Sequence, residues 1–353
     1  MTPKTAKQAV GQTLLAAFRE AGAVEVAPDI LLPAETLLDL YGEDIRARAY
    51  LTTDPIRGEV VMRPDFTVPV VQMHMDGGAE PARYCYLGEV FRKQDSGETR
   101  PATPRDNEYL QAGFELFSRE PAADAEIFAL FHRVLAPWRL RAEMGDMGLL
   151  MAAVRGLPLA NARRDALLHH IWRPGRFDRL LARFSAPSAP RDLPAADAPW
   201  SGLRSPDEMA ARIARLRNDA DEPPLAPEWG GRLARLFTLR APAPQALASL
   251  NDLAAEMPAI GDATARIAAR LAAIADAGID ISTIIFDASH GRHTMEYYDG
   301  LTFSFHADQP GWPPVASGGR YDAMTAVLGR GRAIPAIGGI IRPGLIAEIG
   351  GAP

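Results

Sequence analysis

Apolar residues recur at helical spacing near the start of the chain. Val10, Leu14, Ala17 and Phe18 share one face and Gly22 follows, which predicts an amphipathic helix with a glycine C-cap. Pro28 and Pro33 punctuate the next stretch, and Leu37, Leu38 and Tyr41 suggest a short helix after it. Three runs rich in β-branched and aromatic residues, 58–63, 83–91 and 108–117, read as strands. Over 122–136 the residues Ile127, Leu130, Phe131, Val134 and Leu135 make one helical face. The pattern changes after about residue 155, where arginines crowd the chain, and 184–204 reads as a loop or linker. Ser205 and Glu208 then stand at capping-box spacing with Pro206 at the first helical position. Met209, Ile213 and Leu216 predict a buried stripe for that helix. Residues 221–229 break the chain again. Ile267, Leu271 and Ile274 mark a helix over 262–277, and 281–287, 297–307 and 334–341 return to strand character. The order is a β-rich core, a helical insertion, then more β-rich core.

Composition bounds this picture. At roughly 150 residues per domain, 353 residues predict two or three domains, and 47% hydrophobic residues exclude global disorder. No apolar stretch reaches the ~18–20 residues of a membrane span. The first ten residues lack the apolar centre of a signal peptide, so a soluble cytoplasmic protein is expected. Thirty glycines and thirty prolines are too many for a helical bundle. The single cysteine, Cys85, excludes an internal disulfide and a cysteine-rich metal site. A net charge of −6 argues against nucleic acid as the default partner.

The strand 108–117 is the most informative for chemistry. Its side chains alternate faces: Leu110, Ala112, Phe114 and Leu116 form a core surface, and Tyr109, Gln111, Gly113, Glu115 and Phe117 form the other. A glutamine and a glutamate flanking a glycine leave room for a small ligand on the sheet, although a solvated face with a bulge at Gly113 is the commoner arrangement. Arg92 ends the strand 83–91 before a long polar loop, where it can clamp a phosphate or carboxylate or simply begin a hairpin. His290 and His293 stand three apart with Asp287 upstream, but Gly291 and the flanking residues argue for a loop or strand on which they diverge, so no metal site is expected. Cys85 offers no obvious partner, and His132 reads as a surface or helix-packing residue. There is no phosphate-cradling GxxxxGK[ST] motif and no cofactor signature.

Six segments in order resemble the core of a class II aminoacyl-tRNA synthetase, and within that class the histidyl-tRNA synthetase family. They are Arg63-Pro64-Asp65-Phe66-Thr67, Gly88-Glu89-Val90-Phe91-Arg92, Gln111-Ala112-Gly113-Phe114-Glu115, Tyr297-Tyr298, Gly318-Gly319-Arg320-Tyr321-Asp322 and Gly338-Gly339-Ile340-Ile341-Arg342. The resemblance implies an α+β fold, a mostly antiparallel sheet flanked by helices. The core would be discontinuous, 1–155 and 276–353, around a mainly helical insertion at 156–275. It also implies a free-histidine pocket of Asp65, Thr67, Arg92, Gln111, Glu115, Tyr297 and Tyr298.

Departures from the family pattern bear on activity. The position of the family's catalytic arginine, four residues before Tyr297, is His293, and a neutral imidazole lacks an arginine's fixed positive fork. Arg292 could replace it only by a one-residue shift. Gln94 and Ile341 stand where the family has glutamates, and the eleven residues after Arg342 are too few for an anticodon-binding domain. A synthetase-like body with pocket residues but without activating and tRNA-binding parts resembles the regulatory subunits of ATP phosphoribosyltransferase. That resemblance implies no catalytic residues and no cofactor. Its partner would be the short-form catalytic subunit, with a homodimer through the core, histidine as effector, no tRNA and no membrane. The alternative is a truncated enzyme that adenylates histidine or a related amino acid. A weaker one is a histidine-sensing module for another partner.

Overall fold

The computed structural model describes residues 2–35, 48–93, 107–188, 202–292 and 297–350. The short helix expected around Leu37–Tyr41, most of the polar loop after Arg92, much of the linker, Gln94 and His293 lie outside these residues.

The chain opens with α1 (Lys4–Glu20), which buries Gly11, Leu14, Leu15 and Phe18 on one face. Gly22 follows at φ +86°, a left-handed conformation that suits glycine. Strands β1 (Val24–Glu25), β2 (Leu31–Pro33), β3 (Tyr50–Asp54) and β4 (Gly58–Met62) come next, then α2 (Thr67–Met75). The long strands β5 (Ala82–Phe91) and β6 (Glu108–Phe117) precede α3 (Ala123–Leu135), β7 (Arg141–Asp146) and α4 (Met147–Arg155). A helical stretch follows: α5 (Asn161–His169), α6 (Pro174–Phe184), α7 (Pro206–Asp221), α8 (Pro227–Phe237), the short β8 (Arg240–Pro242), α9 (Ala243–Glu256) and α10 (Gly261–Asp276). The chain then returns through β9 (Ile285–Asp287), β10 (Leu301–His306), β11 (Ala316–Arg320), α11 (Asp322–Leu328), β12 (Ala336–Ile341) and α12 (Pro343–Ile349).

Among the described residues, nine strands form one sheet in the order β1-β5-β6-β12-β11-β10-β7-β9-β8, and β2-β4-β3 form a small one. From β5 to β7 every neighbouring pair is antiparallel. The parallel pairs are β1–β5 and β7–β9. This is the expected α+β sheet, with β6 third from one edge. One face packs against α1, α3 and α4. There Phe18 meets Phe114 and Phe131, and Phe303 meets Phe128 and Phe131, with ring centroids 5.3–5.9 Å apart. No helix among the described residues is long and apolar enough to cross a membrane.

Three expectations change. The outer face of β6 is not solvated and carries no bulge. Every residue from Leu110 to Phe117 is buried, and Gly113 sits in unbroken register between Tyr86 and Ile340. The run 281–287 splits into a 3-10 turn, Ile281–Thr283, and the strand β9, because the Asp280 carboxylate accepts the Ser282 N–H and turns the chain. In α7 the capping box forms as expected, with Glu208 N–H donating to Ser205 Oγ and Ser205 N–H to Glu208 Oε2. Yet α7 buries no residue, and Met209, Ile213 and Leu216 stay half-exposed.

The helical stretch is tied to the sheet by polar contacts as well as by its core. Strand β8 pairs with β9 at the sheet edge. Arg270 of α10 is buried between Asp124 at 2.7 Å and Asp146 at 2.9 Å. Removing one member of such a buried set leaves an uncompensated charge, at a cost of about 3–5 kcal/mol.

Candidate functional site

The sheet face turned away from α1 and α3 floors a cleft of about 1140 Å³. Cross-strand pairing lines up Tyr86, Gly113, Ile340, Ser317, Ser304 and Glu143 in one row from β5 to β7. Beside it runs a second row of Glu115, Gly338, Gly319, Thr302 and Gly145. At ~4.8 Å per strand the floor spans roughly 20–25 Å. The glycines seat neighbouring side chains. A Cβ on Gly338 would stand 1.6 Å from Glu115 Oε2, on Gly319 2.7 Å from the Tyr298 ring, and on Gly145 2.7 Å from His290 Cβ.

One end of the cleft collects the residues singled out by the sequence. Arg63 fixes the segment that bears Asp65 and Thr67. Its Nε donates to the Glu89 carbonyl at 2.8 Å, its Nη1 to the Pro28 carbonyl at 2.6 Å, and its guanidinium lies over Phe66. Phe66 in turn stacks on Tyr86 with centroids 4.2 Å apart. Asp65 is buried, with Arg92 Nη2 at 3.7 Å, and Arg92 Nε donates to the Pro64 carbonyl at 2.8 Å. Gln111 is 1% exposed, its Nε2 donates to the Tyr109 hydroxyl at 3.4 Å, and among the described residues its buried Oε1 accepts no hydrogen bond. Tyr297 and Tyr298 meet edge to face at 4.8 Å. Asp65, Thr67, Arg92, Gln111, Tyr297 and Tyr298 all line the cleft.

Glu115 lies directly beneath that wall. It is 1% exposed, and Thr67 Oγ1 and the Tyr86 hydroxyl both donate to Oε1 at 3.0 Å, while the Tyr321 hydroxyl donates to Oε2 at 2.6 Å. Burial pushes its carboxyl up to about 7 although the three hydroxyls favour the charged form, and nearby Asp65 adds to the rise. Thr67 and Tyr321 line the cleft, so they relay Glu115 to any occupant. This end therefore offers carboxylates, an open amide oxygen and hydroxyls. The set suits a small molecule rich in N–H donors with one cationic group.

The sequence reading missed Tyr86 and Tyr321 as partners of Glu115, and it missed the opposite end of the cleft. There Thr302 Oγ1 donates to the His290 carbonyl at 3.2 Å, so it accepts from His290 Nδ1–H at 2.7 Å. His290 Nε2 then accepts from Ser304 Oγ at 2.7 Å, and Ser304 Oγ accepts from His306 Nε2 at 2.8 Å. Burial lowers His290 to about 4, in keeping with this neutral tautomer. Both of its ring nitrogens are engaged. Beside it Arg240 bridges Glu143 at 2.7 Å and Asp287 at 2.9 Å. Among the described residues no three His, Cys, Asp or Glu side chains could hold a metal ion.

Arg292 turns away from the cleft. It is 6% exposed, its Nε donates to the Ile171 carbonyl at 3.0 Å, and its guanidinium lies 4.6 Å and 5.1 Å from the rings of Phe237 and Phe177. Ser289 Oγ donates to the Phe237 carbonyl at 2.6 Å, so the segment before the tyrosine pair is bolted to the helical stretch.

Comparisons with known proteins agree with this geometry. The profile of the histidyl-tRNA synthetase family matches residues 2–194 and 209–343. The ATP phosphoribosyltransferase regulatory subunit of Mesorhizobium japonicum is 35% identical over 373 residues, covering 96% of this chain and 96% of the relative. That of Allorhizobium ampelinum is 33% identical, covering 92% and 93%. Among solved structures, an ATP phosphoribosyltransferase regulatory subunit/histidyl-tRNA synthetase from Bacillus halodurans superposes with a TM-score of 0.69 at 20% identity, covering 99% of this chain and 80% of that one. A histidyl-tRNA synthetase from Nostoc gives 0.67 at 13%, covering 99% and 74%. At such identities the structural likeness establishes the fold.

Proposed function

The chain belongs to the ATP phosphoribosyltransferase regulatory subunits, within the histidyl-tRNA synthetase family, and from that membership we propose that it is catalytically silent alone and reads free histidine in its cleft. Its place is the first step of histidine biosynthesis, beside a short-form catalytic subunit that transfers the phosphoribosyl group. The core, 1–155 and 276–353, pairs with a second copy and carries the effector site, and the segment 156–275 is an insertion into it. Neither tRNA nor membrane takes part, and the protein works in the cytoplasm. A homodimer through the core is supported by four exposed apolar side chains, Val24 on β1, Ile30 before β2, Leu51 on β3 and Ile56 in the turn after it.

The observation that carries the silent reading is the placement of Arg292. It is the guanidinium nearest in sequence to the position held by His293, and it is spent between Phe177 and Phe237 rather than in the cleft. Without a fixed positive fork there, a carboxylate–phosphate centre gains no stabilisation as charge develops. The histidine ammonium and imidazole would meet Asp65, Gln111 and the tyrosine pair, with Glu115 behind Thr67, and Arg92 would face the ligand carboxylate. Histidine shifts the assembly only as far as it binds one state better than another.

Calorimetry with free histidine tests the site. Glu115→Ala weakens binding by about 1–3 kcal/mol, the usual cost of a lost charged hydrogen-bond partner. Unchanged affinity would place the effector elsewhere. The adenylating alternative draws on Arg92 and Arg342, both at the cleft wall. Histidine-dependent ATP–pyrophosphate exchange by the purified chain would establish that alternative and remove the silent reading.

A further inference from the structure

Charge is segregated along this chain. Residues 155–222, through the end of α7, hold twelve arginines, no lysine and nine acidic residues, so this stretch is net +3 in a chain that is net −6 overall. Most of its exposed arginines lie on two helices. On α6, Arg176, Arg179 and Arg183 stand three and four apart on one exposed face, while Phe177 and Phe184 face inward. On α7, Arg212 and Arg215 lie one turn apart and are exposed. The two helices are neighbours, because Asp219 of α7 pairs with Arg183 of α6 at 2.8 Å and with Arg163 of α5 at 2.7 Å. Helix α7 is well capped yet buries nothing, and Leu203 just before it is fully exposed.

We infer that the exposed face of α6 and α7 is the docking surface for a protein partner with an acidic face. Resting on the reading above, that partner is the catalytic subunit. Three observations favour it. The arginines of α6 would stand near their own copies in a two-fold contact through this face, at an electrostatic cost that an unlike partner avoids. The exposed Val24, Ile30, Leu51 and Ile56 have the character of a self-association surface, which leaves the arginine-rich helices for an unlike partner. The half-exposed Met209, Ile213 and Leu216 beside the arginines give an apolar centre with a charged rim, the anatomy of a protein interface rather than of a phosphate track. The surface is also wired to the cleft. Phe177 on the inner side of α6 packs against Arg292, so a partner seated outside acts on the segment that leads to the tyrosine pair.

The test is association of the full chain with the short-form catalytic subunit, measured by sedimentation at several salt concentrations. The Arg176→Glu/Arg179→Glu/Arg212→Glu/Arg215→Glu variant is compared with an equal charge change elsewhere, Arg57→Glu/Arg133→Glu/Arg266→Glu/Arg330→Glu. The first set weakens association at least tenfold and flattens its salt dependence, and the second leaves it within about threefold. Circular dichroism and histidine binding are those of the unaltered chain in both. Equal weakening by the two sets, or none by the first, overturns the surface while the partner reading stands. Failure of the unaltered chain to associate overturns both. Loss of RNA retention on a filter by the first set, with assembly intact, assigns the arginines to nucleic acid and overturns the surface.

Discussion

Burial holds the Glu115 carboxyl near pH 7 while three hydroxyls donate to it, so its proton is shared between the fold and solvent in the neutral range. Its folded value lies above its ordinary value of 4.5. The folded state therefore holds the proton between about 4.5 and 7 while the unfolded chain releases it. The stability from this group is present below 4.5 and is lost as pH rises through 7, by on the order of a few kcal/mol. Thermal melts of the wild type and Glu115→Gln between pH 4.5 and 8 measure this. The melting temperature of the variant gains on that of the wild type as pH rises, and a gap that is flat with pH contradicts the assignment. Gly338 is the companion position. Its missing Cβ is the space of the Glu115 carboxylate, so Gly338→Ala displaces Glu115 or costs more than about 3 kcal/mol in denaturant unfolding. Unchanged stability and histidine affinity together would show that the floor yields freely.

At the scale of elements, Arg292 joins the segment before the tyrosine pair to α6 and α8. Arg292→Ala removes a buried hydrogen bond and packing against two rings. It raises amide exchange in 174–184, 227–237 and 285–291 by tenfold or more and leaves β6 protected, whereas uniform protection would mean that the strut is idle. Helices and strands with one-sided patterns were legible in the chain: α3, α10, β5 and β6 fall within a residue or two of their expected bounds, and α1 forms where its apolar face is expected. The outer face of β6 was not, because alternation names two faces without saying what covers them. Tyr86, Tyr321 and α2 cover this one, with Thr67 on Glu115 and His74 stacked on Phe117. The first two were hidden for a related reason. The long loop between β5 and β6 leaves register unspecified, so nothing in the sequence sets Tyr86 opposite Gly113. Strand β11 was masked by its own glycines, and the stripe on α7 was real in period but found no surface to bury it. The proposed histidine-binding residues Asp65, Thr67, Arg92, Gln111, Glu115, Tyr297 and Tyr298 come together through family resemblance. Alternation alone reached only Gln111 and Glu115.

For the whole molecule, a synthetase-like sheet floors a polar cleft, while Arg292 serves as a strut to an arginine-rich helical stretch. In the proposed function, the cleft, the strut and the docking face let this chain control another chain's reaction while it performs none of its own. The most direct measurement is the rate of phosphoribosyl transfer from phosphoribosyl pyrophosphate to ATP by the short-form catalytic subunit, alone, with this chain, and with this chain plus histidine. The expected rate rises at least tenfold on adding the chain and falls again with histidine, and Glu115→Ala keeps the rise and blunts the fall. A catalytic subunit whose rate is indifferent to the chain would contradict the proposed function.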